Sequence, residues 1–293
     1  MPDSARVSRL ALRSLASPLR SFVLACGLCL VALASLPAAL AAQNGTAFDP
    51  GCAYPFADIA VKHPIDSDCG VQGKSGGTPE NAAQNQAKNN FCATGNPSRV
   101  TAVSFAKLQK AVVKAQIPFG SGSTLPPDRS KLHDIYTTSD GNTIGEGSVV
   151  RLVAFVEKAH PSDVSSGESV NCGEKGEEQN DIHIPTVQTP DADECTSVTA
   201  EMTPHGRPAG WTSDALNQLG VPVRITGQLF FDGSHRPCKN GKGSPKRVSL
   251  WEIHPVYAVD VCSGSTLAEC PYNDDSKWHP LEAKPAAAPP PGK

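Results

Sequence analysis

The sequence predicts a mainly β fold, a five-stranded OB-like barrel carrying an N-terminal α-helical, loop-rich extension. Three observations lead there. Five apolar or alternating runs, 149–156, 181–187, 197–203, 221–232 and 248–261, follow one another along the second half of the chain. The segments between them, such as 162–180 and 233–246, are loaded with Gly, Pro, Asn and Asp, which stop strands and turn the chain. Residues 43–140 are poor in apolar residues and show two helical stretches instead. Five strands in so short a span fit a small barrel, and the OB-fold is a five-stranded one. No internal repeat is visible.

The first helical stretch opens at Thr78-Pro79-Glu80, a hydroxyl N-cap followed by proline at the first helical position, and runs toward Asn90. The second, 104–116, sets Phe105, Leu108 and Val112 on one stripe and Lys107, Lys110 and Lys114 on another, and stops before Pro118. Such a lysine stripe reads as a solvated face.

Among the strands, 149–156 is almost continuously apolar, interrupted only by Arg151, and is expected to be buried on both faces. The others alternate, which fixes the side chains that share a face. Ile182 and Ile184 oppose Asp181 and His183; Val198, Ala200 and Met202 oppose Glu201. Val221, Val223, Ile225, Leu229 and Phe231 oppose Arg224, Gln228 and Asp232. Trp251, Ile253, Tyr257, Val259 and Val261 oppose Glu252 and His254.

The chain's ends carry different signals. Residues 1–41 read as a cleavable secretory signal: a leader with Arg6, Arg9, Arg13 and Arg20, an apolar run from Phe22 to Leu36, and the small-residue site Ala39-Leu40-Ala41. The apolar run is nearly long enough for a membrane anchor, but Pro37 and the cleavage site follow it rather than a basic stop-transfer cluster, so no stable membrane anchor is expected. The organisation read from the chain is thus signal 1–41, helical and loop-rich segment 42–140, barrel 141–282 and a disordered Ala/Pro tail 283–293. The leader takes four of the 26 basic residues and one of the 29 acidic ones, leaving the remainder at −6. That balance argues against nucleic-acid binding driven by net charge.

Beyond the leader stand Cys52, Cys69, Cys92, Cys172, Cys195, Cys238, Cys262 and Cys270. An even number in an exported chain predicts disulfides and a periplasmic or secreted location, and the spacing leaves the pairing open. No C-x-x-C remains among them, which removes the usual thioredoxin-like and zinc-ribbon patterns.

For chemistry, Asp181, His183, Glu201, His235, Glu252 and His254 gather carboxylates and imidazoles on the polar side of the sheet. These ligand types suit zinc or manganese, and His183, Glu252 and His254 form the candidate metal set. The plainer reading is an ordinary solvated outer face of an antiparallel sheet. Arg207 and Trp211, in a Pro- and Gly-rich loop, offer a planar fork and an apolar plate for a phosphate or sugar, or else a loop packed on the barrel. Asp140 to Gly145 begins like a calcium loop, but Ile144 and Arg151 fall where ligands belong. No G-x-S-x-G elbow nominates a nucleophile.

Gly145-Glu146-Gly147 leading into a Val-rich strand, Asp181-Ile182-His183-Ile184, Glu201, Val223-Arg224-Ile225-Thr226-Gly227 with Phe230, Phe231, Asp232 and His235, and the closing Trp251-Glu252-Ile253-His254-Pro255-Val256 form one further pattern. Over residues 145–262 this resembles uncharacterised secreted bacterial proteins with an OB-like domain, WEIHPV being its most specific piece. The resemblance implies a fold and a polar surface, and no reaction. OB barrels also host staphylococcal-type nucleases; Asp181, Glu201 and Arg207 match their residue types without matching a motif, an analogy of fold only. Three functions follow: a binding module for an unidentified ligand, a metal-dependent hydrolase of nuclease or phosphodiesterase type, and an envelope structural or interaction protein. The sequence does not decide whether the chain is an enzyme, nor its oligomeric state.

Overall fold

A computed structural model describes residues 69–120, 126, 128–205, 207–208 and 210–281. The expected signal peptide 1–41, Cys52 and the Ala/Pro tail 283–293 lie outside the described residues. Helix α1, Pro79–Lys88, is capped by Thr78, whose hydroxyl accepts from the Asn81 N–H. Strand β1, Ser98–Val100, leads into α2, Ala102–Lys114, where Thr101 and Ser104 form a reciprocal capping box. Phe105, Leu108 and Val112 are buried on α2 while Lys107, Lys110 and Lys114 are exposed, the solvated face expected. A two-stranded hairpin, β2 Tyr136–Thr137 and β3 Thr143–Ile144, takes up the sequence that began like a calcium loop.

The barrel is built from β4 Val149–Val156, β6 Ile182–Val187, β7 Val198–Met202, β8 Val223–Phe231 and β9 Trp251–Cys262. Their order is β4-β8-β9-β7-β6, and β6 pairs back to β4, closing the barrel. β7 and β9 run parallel and the other barrel pairs antiparallel. The short strands β5 His160–Pro161 and β10 Trp278–Pro280 extend its edges on β6 and β9, and helix α3, Ser213–Asn217, bridges β7 to β8. Trp251, Phe231, Ile253, Leu229, Ile225, Ile184, Ala200 and Met202 fill the interior, and Phe105, Leu108 and Val112 of α2 belong to the same apolar cluster. The extension therefore shares its core with the barrel.

Two face assignments need correction. β4 is only partly buried on its second face, where Arg151, Val153 and Phe155 remain half-exposed. Tyr257 points outward rather than into the barrel: its hydroxyl donates to the Asn90 carbonyl at 2.7 Å and its ring stacks on Phe91. The register explains this. Gly227 of β8 faces Val256, whereas Thr226 faces Ala258 and Leu229 faces Ile253, so β9 carries an extra residue on each side of the Gly227 pair. The first bulge puts Val256 in the core in place of its neighbour, and the second restores the odd-numbered phase at Val259 and Val261. Gly227 is needed there, because a Cβ would lie 2.4 Å from the Pro255 carbonyl oxygen and 2.7 Å from Ile253 Cγ2.

Three disulfides join Cys69–Cys172, Cys195–Cys238 and Cys262–Cys270, and Cys92 is disulfide-bonded as well. The first ties the segment before α1 to the β5–β6 loop; the second ties the β6–β7 loop to the β8–β9 loop. Such bonding fits an oxidising compartment. Among the described residues no helix is long and apolar enough to cross a membrane.

Candidate functional site

The outward side chains of β6, β7 and β9 meet under α1. Strand pairing sets His183 opposite Glu201, and Ala200 beside Ile253, which brings Glu201 next to His254. His254 Nδ1 lies 2.8 Å from Glu201 Oε2 and 3.7 Å from Glu252 Oε2, and its Nε2 lies 3.5 Å from Asp181 Oδ2. His183 Nε2 lies 3.3 Å from Glu201 Oε1 and 3.9 Å from Glu168 Oε1. The two histidines thus share one carboxylate.

This face is together but not accessible, contrary to the solvated surface expected. His254 is 0 % exposed, Asp181 0 %, Glu252 1 % and Glu201 2 %. The cover is α1, held at three places. Gln84 donates to Asp232 and accepts from the Gly233 N–H in the β8–β9 loop. Gln228 of β8 donates to the carbonyls of Ala87 and His254, each at 2.8 Å, and accepts from Asn90. Asn85 accepts from Ser169, in the β5–β6 loop that Cys69–Cys172 anchors. Ala87 packs on Phe230, whose ring also meets the His254 ring at 5.5 Å. From the end of α1, Lys88 reaches in to 3.6 Å from Glu201 Oε2.

Charges balance around that core. Arg247, itself buried, pairs with Glu252 and with Asp232, the latter at 2.6 Å, and Asp232 also holds the half-exposed His235. Burial pushes the Asp181 carboxyl up to about 7, with Glu168 adding to the effect. Burial works against the charge on His254, but Glu201 and Glu252 raise it to about 10. Against the same opposition, Glu201 and Glu168 raise His183 to about 9. Glu201 is held well below the ordinary carboxylate value despite its burial, by His183, Lys88 and His254.

Several of these buried polar atoms are held by ion-pair contacts alone. Asp181 Oδ1 accepts from Asn171 at 2.9 Å, but Asp181 Oδ2, Glu201 Oε2 and both ring nitrogens of His254 are sealed from solvent without a hydrogen bond. The set whose ligand atoms converge is Asp181, Glu201 and His254, all within 4.8 Å of one another. It differs from the expected metal set of His183, Glu252 and His254: His183 Nε2 faces Glu168 and Glu201, and Glu252 faces Arg247 through Oε1 and His254 through Oε2.

Arg207 and Trp211 make contacts of a different kind. Arg207 donates to the backbone carbonyls of Glu177, Glu178, Asn180 and Met202, clamping the β5–β6 loop. Trp211 Nε1 donates to the Leu281 carbonyl while its ring packs against the core. Among the described residues neither makes a hydrogen bond or ion pair with the cluster.

Sequence reading missed Lys88, Glu168 and Arg247. One faint signal for Lys88 lay in α1 itself: its inward residues are Ala83, Gln84, Asn85 and Ala87, small or amide side chains suited to a polar surface. Glu168 and Arg247 sit in loops, where no periodicity points to a face. Barrel and site together define a closed five-stranded OB-like barrel with a covered ionic face. No protein-family model, no curated protein and no solved structure matches the chain.

Proposed function

We propose that the chain is an exported binding module, periplasmic or secreted, whose ligand is held on the polar face of β6, β7 and β9 beneath α1. One observation carries the reading. Asp181, Glu201 and His254 bring ligand-type atoms within 4.8 Å of one another in a site closed to solvent, where they are held by ion pairs rather than by hydrogen bonds of ordinary geometry. OB barrels recognise ligands on this face and between the flanking loops, which adds an argument from fold. Export rests on the leader and cleavage site of residues 1–41, and the disulfides are in keeping with it. A hydrolase built on the same residues would need its substrate to pass beneath α1.

The test is a thermal-shift and calorimetric panel on the processed chain with divalent cations, inorganic phosphate, short oligosaccharides and oligonucleotides. At least one class is expected to bind saturably with a raised melting temperature. If none does, the face is structural and the reading falls. Intact-mass analysis of exported material is expected to show a start near Ala42 or Gln43; an uncleaved chain retained in the cytoplasm would remove the export half.

A further inference from the structure

We propose that Asp181, Glu201 and His254 bind one divalent transition-metal ion of the zinc or manganese type. This deepens the binding reading above and rests on it. Two carboxylates and an imidazole are borderline-to-hard donors suited to these ions, and their charge matches a divalent cation when the imidazole is neutral. The ligand atoms lie within 4.8 Å of one another. Metal–ligand bonds of about 2.0–2.2 Å bring ligand atoms to within roughly twice that length, so small rotamer adjustments close the set.

The second observation is independent of composition. Asp181 Oδ2, Glu201 Oε2 and both His254 nitrogens are out of solvent and lack hydrogen bonds. Their neighbours are the kind that orient ligands. Asn171 holds Asp181 by Oδ1 and leaves Oδ2 toward His254; His183 faces Glu201 Oε1 and leaves Oε2 toward His254; Phe230 walls the imidazole with its ring. Arg247 engages Glu252 through Oε1, while Glu252 Oε2 stands 3.7 Å from His254 Nδ1, farther than Glu201 Oε2.

One group opposes the ion. Lys88 Nζ stands 3.6 Å from Glu201 Oε2, supplying a positive charge where the metal's would fall. It sits at the last residue of α1 with 13 % of its side chain exposed, so it can withdraw outward when an ion enters. Lys88 is thus a competitor for the site, and α1 the element that must open or fold last to admit the ion.

That competition gives a test with opposite signs. The chelator-stripped, processed chain is titrated with ZnCl2 and with MnCl2 by calorimetry, after long incubation and again after unfolding and refolding with disulfides intact. One ion per chain is expected. Asp181→Asn, which preserves the acceptor for Asn171, is expected to weaken binding at least tenfold; Lys88→Met is expected to tighten it severalfold. Circular dichroism confirms that each variant is folded. Binding unchanged in both variants would put the ion at exposed histidines and overturn the proposal, as would the absence of binding under both protocols. If no cation binds but another ligand of the panel does, the metal proposal alone fails; if nothing binds, both fail.

Discussion

The two sides of β9 make an instructive contrast. On one, Trp251, Ile253 and Val256 fill the barrel with carbon and depend on nothing beyond it. On the other, Glu252 and His254 are buried as completely, yet they rely on Glu201, Arg247, Lys88 and the cover of α1 to be tolerated there. Equal burial thus rests on different physics: on the inner side transfer of apolar surface from water stabilises directly, while on the outer side desolvation has to be offset by pairing.

Single truncations should separate the two. Trp251→Ala, which empties the largest buried ring, is expected to cost about 3–5 kcal/mol in denaturant unfolding. Trp251→Phe should cost much less, because Nε1 makes no hydrogen bond. Arg247→Ala is also expected to cost about 3–5 kcal/mol, since it strands Asp232 and Glu252 as buried charges. The mechanisms differ in pH dependence: the Arg247 loss should shrink in acid, where the stranded Asp232 carboxyl takes up a proton, and the Trp251 loss should not. Equal pH dependence would break the distinction.

Next in size is the seam where the phases change. Gly227→Ala puts a methyl group against the Pro255 carbonyl and Ile253, and is expected to cost about 1–3 kcal/mol. A neutral result would mean that the double bulge relaxes easily.

These regions also differ in how far the sequence displays them. Strand alternation placed Ile182, Ile184, Val198, Ala200, Met202, Leu229, Phe231, Trp251 and Ile253 inward, because period two is a local property of the chain. It failed at Tyr257, where two extra residues shift the phase against a partner strand the sequence does not reveal. On the outer side it grouped Asp181, His183, Glu201, Glu252 and His254 on the right face and misjudged their environment. Burial there is imposed by α1, more than a hundred residues upstream of β9, through Gln84, Asn85 and Lys88. Cover by a distant element leaves no periodic trace in the strand it covers.

The metal-free protein should show the outer side's dependence on protons. His183, at about 9, and His254, at about 10, lie above the ordinary histidine value, so their stabilisation is complete below pH 6.5 and is lost as pH rises through those values. Asp181, raised to about 7, acts in the same direction at lower pH, its share being lost between about pH 4 and 7, because the folded state holds its proton more tightly than the unfolded chain does. Glu201 and Asp232, held low, oppose at the other end and withdraw stability in acid. The melting temperature is expected to decline between pH 6.5 and 10; a flat profile there would mean that the histidines are neutral.

The smallest effect is expected at Asp181, and it sharpens the contrast most. Near pH 4 the carboxyl is protonated in the folded protein and about half protonated in the unfolded chain, so Asp181→Asn replaces one neutral planar group by another, and its Oδ1 still accepts from Asn171. Stability should change by no more than about 1 kcal/mol, unlike any truncation on the inner side. Above pH 7 the wild-type side chain must ionise in a buried site beside Glu168, whereas the amide does not, so the variant should melt above the wild type. Unfolding curves of both proteins at pH 4 and 8.5 decide the matter. A variant that is strongly destabilised at both values would mean that Asp181 is charged throughout and paired with His254, so that the outer side is held by that ion pair.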